Sequence, residues 1–313
     1  MNGQTDKQID DRLNNLSDDK WRHMVLYRIQ PTKFADSDYD GEGDIHGIID
    51  RLDYVAGLGV DAVQITGVYD PINDAHPADD ASADLCELGD FLCQLKQALA
   101  ARNLMIVPDF NPNLVNSLTS QFADCKKPRQ LKQLINKIIE TKPSVCMTGS
   151  GEARFITSYG KSRDSDLISR MMAVVINTLP ASPCIFQGQE LGMVGDYSIR
   201  WGMGDFNESR ERSVLRQDDD PKSVLNCYRK AIAMRKSSLI LQEGEAQMGF
   251  DRDDVASYIR CLGDEAILVV ANLGNQTVRP KAPLVGRLMM SSYADRTNLD
   301  GGLLPYEAVV FRV

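Results

Sequence analysis

Between Asp36 and Asp44 the chain places an acid on every second residue: Asp36, Asp38, Asp40, Glu42 and Asp44, with Gly41 and Gly43 among them. Hard divalent cations are held by about six to eight oxygens at short range, and a curled loop turns odd-position acids inward while glycine relaxes the backbone. Like charges this dense repel one another unless a cation lies between them. The spacing predicts a calcium loop, with carboxylate oxygens of Asp36, Asp38, Asp40 and Asp44 and the backbone carbonyl of Glu42 as Ca2+ ligands. It departs from a helix-loop-helix calcium hand at the last position of the loop, where a bidentate Glu is replaced by Gly47 and Asp44 is left to close the shell. The alternative is a solvated acidic turn.

The elements that must position this loop are legible on both sides of it. Val25 to Ile29 is a short apolar run, and residues 45–66 read as an amphipathic helix, a glycine turn and a second apolar run from Ala62 to Thr66. That helix-to-strand step belongs to a parallel α/β fold. The alternation continues through helix Glu87 to Arg102, strand Leu104 to Asp109, helix Pro128 to Thr141, strand Ser144 to Thr148, helix Ser165 to Leu179, strand Cys184 to Gln187 and helix Pro221 to Lys236. Beyond residue 243 short alternating segments at 256–260, 266–271, 287–291 and 308–312 predict a small antiparallel β domain. Residues 1–20 read as a polar lead-in, 21–242 as the α/β domain and 243–313 as the β domain.

The net charge of −9, from 35 basic against 44 acidic residues, repels polyanions at long range, so nucleic acid is not an expected partner. No stretch reaches the roughly 20 apolar residues of a membrane helix. Met171 to Phe186 comes nearest and is broken by Asn177, Thr178, Pro180 and Ser182. The first residues lack the apolar core of an export signal, and the seven cysteines include no Cys-x-x-Cys pair, so neither a zinc site nor a disulfide framework is expected. These features together imply a cytoplasmic protein with reduced thiols. Cys86 and Cys93 share a face of one predicted helix and are expected to be small buried core residues.

Several runs closely resemble the α-amylase/α-glucosidase superfamily, glycoside hydrolase family 13, in its oligo-1,6-glucosidase-like branch. The stretch from Val25 to Thr66 resembles the family's amino-terminal barrel segment, whose acidic loop binds calcium. Leu104 to Asn113 is similar to its third strand, Pro183 to Met193 to its eighth, Asp220 to Lys230 to its last barrel helix, and the terminal segments to its carboxy-terminal β domain. The resemblance implies an α/β chain with a degenerate or incomplete TIM (β/α) barrel followed by a small C-terminal antiparallel β-sandwich domain. Lys20-Trp21 and Pro112-Asn113 also resemble the heavy subunits of heteromeric amino-acid transporters, which carry a glycosidase-like domain without its catalytic set.

Retaining glycosidases need a carboxylate nucleophile and a carboxylic acid at the same bond. In the family these follow strands four and five, the nucleophile in a Gly-x-Arg-x-Asp motif, and neither strand has a counterpart here. About 35 residues separate Asn113 from Gly149, room for one helix and one strand. The family's third carboxylate falls at Gly151, and its histidine after Asn113 is Leu114. Asp109, Asn113, Arg154 and Glu190 match motif positions and are the candidates for a remnant sugar pocket. Their structural alternative is a buried ion pair of Asp109 with Arg154, and a turn cap at Asn113. Glu152 has no partner carboxylate and is a poor substitute acid. The expected function is a non-catalytic scaffold or interaction protein, the alternatives being a carbohydrate-binding or sensing protein and an α-glucosidase-type glycosidase. A barrel interrupted after its third strand leaves open strand edges. Direct pairing of the Leu104 and Ser144 strands is expected, with a homodimer or other protein partner over exposed apolar surface.

Overall fold

The computed structural model describes residues 23–66, 93–107, 122, 125–143, 145–150, 153–154, 159, 164–194, 216–250, 252–280, 286–299 and 302–313. Side chains that alternate along a strand fall on opposite faces of a sheet, and this sorts the first five parallel strands. These are β1 (Leu26–Ile29), β2 (Ala62–Ile65), β3 (Met105–Val107), β4 (Val145–Met147) and, after a short antiparallel ribbon of β5 (Gly149–Ser150) and β6 (Ala153–Arg154), β7 (Ser182–Phe186). Leu26, Ala62, Val107, Val145, Met147 and Cys184 gather on one face with Met24. Tyr27, Ile29, Val63, Ile65, Cys146 and Ile185 face the other way and join the large core under the helices. The first face is the lumen of the barrel segment.

The sheet order is β3-β2-β1-β7-β4. This corrects the expectation that the strands beginning near Leu104 and Ser144 pair directly: β3 and β4 are opposite edges, with three strands of the same chain between them. The reason lies in β7, which takes β1 on one side, Leu26 opposite Cys184, and β4 on the other, Met147 opposite Cys184. Neighbouring strands twist by only roughly 20–25°, and small parallel barrels close with about eight. The five strands among the described residues do not bring β3 and β4 together.

The helix read as continuous over residues 45–58 is two, α1 (Ile45–Asp50) and α2 (Leu52–Gly57), because Arg51 leaves helical geometry at φ −105° and ψ 4°. The chain is also helical over 93–100, where Cys93 is exposed; that corrects its assignment to the core, and Cys86 lies outside the described residues. α3 (Pro128–Thr141) starts on a proline and stops at Lys142, whose φ is +45°. α4 (Ser165–Thr178) is buried almost all round, so its run of apolar residues is a core helix and not a membrane span. α5 (Val224–Lys236) is capped by Ser223, whose side chain accepts from the Asn226 N–H, and α6 (Leu239–Glu243) by Ser238. Among the described residues no helix is long and apolar enough to cross a membrane.

The β domain is an antiparallel sheet of β8 (Glu245–Met248), β9 (Val255–Leu262), β10 (Glu265–Asn272), β11 (Arg287–Ser291) and β12 (Ala308–Arg312), ordered β11-β12-β10-β9-β8. Ile267, Val269, Ala271, Ala308 and Val310 face α4 and extend the large core. Val270, Val309 and Phe311 face away, onto Val278 and Leu303, which are bridged to each other. Two arginines, Arg235 of α5 and Arg260 of β9, fasten those elements to the end of α4. Arg235 donates to the carbonyls of Asn177 and Leu179, and Arg260 to those of Thr178 and Gly244, so the otherwise unpaired carbonyls at the end of α4 are satisfied by buried cations. Burial, and then the charge of Arg260, pull Arg235 down to about 9, which leaves it charged at neutral pH.

Candidate functional site: an acidic loop and the barrel end

The acidic loop leaves β1 through a turn at Pro31–Lys33 and folds back on it, Gly43 N–H donating to Thr32 O and Asp44 N–H to Ala35 O. Within it Asp36, Asp38 and Asp40 each hydrogen-bond the backbone ahead. Asp36 accepts from Tyr39 N–H at 2.7 Å and Gly41 N–H at 2.9 Å, Asp38 from Asp40 N–H at 3.1 Å, and Asp40 from Glu42 N–H at 2.7 Å. One oxygen each of Asp36, Asp38 and Asp40 lies within 4.8 Å of the other two. Three hard oxygen donors from one loop suit a hard cation of the calcium kind.

Asp44 has a different task. Its carboxylate caps α1, accepting from Gly47 N–H at 2.7 Å, and also holds Ser37 through the backbone N–H at 2.8 Å and the hydroxyl. Burial works to raise its pKa, but the hydrogen bonds from Ser37 and Gly47 outweigh it and hold the group below the ordinary carboxylate value. The structure therefore gathers three of the four expected carboxylates and leaves Asp44 outside that group. It also explains Gly47. A Cβ there would stand 2.2 Å from Ala35 O, so the position where a calcium hand carries Glu is filled by the helix backbone pressed against the loop.

Glu190 follows β7 in a short turn bounded by Gly188 and Gly192, both at positive φ. It is fully buried, and the hydroxyls of Tyr27 and Tyr54 donate to its Oε1 at 2.8 and 2.7 Å. Tyr27 belongs to the helix-facing side of β1. Glu190 is thus tied between sheet and α2, on the side away from the lumen, which corrects its place among the pocket candidates. Beside it, Gln187 accepts from Gln30 N–H and donates to Lys33 O, each at 2.9 Å, and Thr148 is hydrogen-bonded to Gln189. These contacts lock the root of the acidic loop to the end of β7. Sequence reading missed them, although the alternation Leu26, Arg28 against Tyr27, Ile29 already separates the two faces. Asp109, Asn113, Leu114, Gly151 and Glu152 lie outside the described residues, and Arg154 is placed through its backbone pairing with Gly149.

The residues that do face the lumen at the C-terminal end of the strands are Arg28, Gln64, Val107 and Phe186, level with one another because Arg28 is in register with Gln64 and Phe186, and Gln64 with Val107. That end is where parallel barrels place their ligands.

Comparison with known proteins agrees with this architecture. Residues 28–113 match the family model of the α-amylase catalytic domain. Over these residues the chain is similar to the α-amylase catalytic domain. Oligo-1,6-glucosidase of Bacillus cereus is 31% identical over 118 residues, 36% of this chain and 21% of that protein. An α-glucosidase of Pediococcus pentosaceus is 33% identical over 115 residues, 35% of this chain and 20% of that protein. The match thus spans about a fifth of the length of these relatives. Among solved structures, a trehalulose synthase mutant has a TM-score of 0.71 at 14% identity, covering 94% of this chain and 99% of that one. Trehalose-6-phosphate hydrolase of Bacillus licheniformis also gives 0.71 at 14% identity, covering 93% and 99%. At such identity the likeness concerns the fold: a partial barrel of parallel strands joined to a β domain.

Proposed function

We propose that this α-amylase superfamily chain is a glycosidase-type protein that takes an α-glucoside at the C-terminal end of its parallel strands. The observation that supports it best is the match over residues 28–113, which carries β1, the acidic loop, α1, α2, β2 and β3 in the order of relatives named as glucosidases. A second reading, a non-catalytic member that binds sugar or a protein partner, is favoured by one feature of the sequence. The 35 residues between Asn113 and Gly149 hold no Gly-x-Arg-x-Asp motif and leave no room for the strands that carry nucleophile and acid. We also propose that Asp36, Asp38 and Asp40 hold Ca2+, which would supply positive charge to three clustered carboxylates and fix the link from β1 to α1.

Two measurements on the purified chain decide between these readings. Release of p-nitrophenol from the α-glucoside, or of glucose from isomaltose, above a buffer control supports a hydrolase. Calorimetric binding of isomaltose without turnover supports the non-catalytic reading. Absence of both overturns the α-glucoside assignment.

A further inference from the structure

Residues 126–142 carry the cations Lys126, Lys127, Arg129, Lys132, Lys137 and Lys142 against a single acid, Glu140, in a chain whose net charge is −9. Two of these cations have partners within the fold: Lys132 is buried and donates to the Arg252 carbonyl, and Lys142 is paired with Glu245. Lys126, Lys127, Arg129 and Lys137 are exposed, and among the described residues none of the four is in an ion pair. Other surface cations, Arg102, Lys222, Arg229 and Arg312, each stand beside an acid. The fold holds the four unpaired ones in place. α3 buries Leu131, Leu134, Ile135, Ile138 and Ile139, which fixes its remaining face toward solvent, and Arg129, Gln133 and Lys137 follow one another along that face at four-residue spacing. Ahead of the helix the Gln130 side chain accepts from the Lys126 and Lys127 N–H groups at 2.9 and 3.1 Å, tying both lysines to the first turn. The positive end of the helix dipole adds to their charge. Like charges gathered in one short stretch repel one another, a cost that a partner of opposite charge removes.

We propose that this face of α3 docks a short acidic segment of a partner protein. From Arg129 to Lys137 the helix rises about 12 Å, and an extended acidic segment of about five residues, at roughly 3.3 Å each, covers that length together with Lys126 and Lys127. A short segment meets only the patch. A long nucleic acid or the broad surface of an anionic membrane also meets the field of a chain whose net charge is −9, which opposes it. The exposed residues of this face are Lys, Arg, Gln, Glu and Thr, so it offers no aromatic ring for bases to stack on and no apolar side chain to enter a bilayer. Carboxylates accept charge-assisted hydrogen bonds from lysine and arginine, and the neutral Gln130 and Gln133 amides beside them add donors without adding repulsion. This inference does not depend on the α-glucoside reading of the barrel end.

Fluorescence anisotropy of labelled hexaglutamate with the full chain at about 0.1 M salt tests it, with circular dichroism to check the fold of each variant. Binding is expected, and it should weaken as salt is raised. Combining Lys126→Gln, Lys127→Gln, Arg129→Gln and Lys137→Gln should weaken it about tenfold or more, the joint loss of four modest exposed charge contacts. The pair Lys126→Gln and Lys127→Gln, which lies ahead of the helix, should lose part of that affinity. A control combining Lys96→Gln, Arg216→Gln, Lys230→Gln and Arg287→Gln changes the net charge equally and should bind nearly as the native chain does. No binding by the native chain, or equal weakening in the two fourfold variants, overturns the inference. Tighter binding to duplex DNA, or to vesicles of phosphatidylcholine with phosphatidylserine, than to hexaglutamate overturns the assignment to a protein segment.

Discussion

At the scale of single residues, the acidic loop shows how one position can decide what its neighbours do. Gly47 brings α1 against the Ala35 carbonyl, and only then does its N–H reach Asp44. Gly47→Ala should therefore destabilise the protein by about 2 kcal/mol or more, as forced overpacking against backbone does, read as a lower midpoint in urea. Asp44→Ala removes the cap and should cost about 1 kcal/mol whether or not calcium is present. Asp40→Ala should behave in the opposite way. With calcium at about a hundred times its dissociation constant the native chain is expected to gain about 2.7 kcal/mol over the chelated form, and Asp40→Ala should abolish that gain while leaving the chelated midpoint nearly unchanged. A calcium effect that survives Asp40→Ala would assign the ion to another site.

At the scale of elements, the end of α4 is the joint of the molecule. Three carbonyls there have arginine as their donor, and the two arginines come from α5 and β9, one from each part of the chain. Arg260→Met should cost about 3 kcal/mol, because the Thr178 and Gly244 carbonyls lose their donor inside the core. The loss should appear in a single transition followed by both near-ultraviolet dichroism and tryptophan fluorescence, since the same core runs through the barrel segment and the β domain. Two separated transitions would show that the parts unfold independently. The Glu190 network is a joint of the same kind on the other side of the sheet. Glu190→Leu leaves the Tyr27 and Tyr54 hydroxyls without this acceptor and should destabilise more than Glu190→Gln, which keeps an oxygen in place.

At the scale of the whole molecule, the buried titratable groups set a pH response. Burial pushes the Cys227 thiol up to about 12 and raises Cys146, Tyr159, Tyr228 and Tyr258 above their ordinary values. A folded pKa above the unfolded one means that stability is complete below the unfolded value and falls as pH climbs toward the folded one. Arg235, lowered to about 9, and Arg260, lowered to about 10, work in the other direction, because above those values the unfolded chain binds the extra protons. These five raised acids outnumber the two lowered arginines and predict a melting temperature that declines from about pH 9 upward. A flat profile between pH 8 and 11 would show that these groups ionise without unfolding. The luminal cluster is already buried within one chain, so we propose that a dimer pairs over the β3 and β4 edges and not through the lumen. Sedimentation at two concentrations reads this directly, and a monomer at both removes the dimer.

Much of this molecule followed from local pattern. The alternation of helix and strand, the acidic loop with its glycines, and the switch to short β segments after residue 243 are set by side-chain period and turn chemistry, which act over a few residues. β8 escaped that reading because Glu245–Met248 is an exposed edge with little apolar alternation. Long-range decisions needed the tertiary structure. Which strand β4 would join, whether Glu190 faced lumen or helices, and whether Asp44 would bind an ion or cap a helix each depend on partners distant in sequence or on the packing of neighbours. Glu190 meets Tyr27 across 163 residues of chain, and no local period carries that information. Local pattern settled the type of most segments. Packing of the sheet between its lumen and its helices decided which side every functional group would face, because a strand offers two faces and only the assembled core chooses between them.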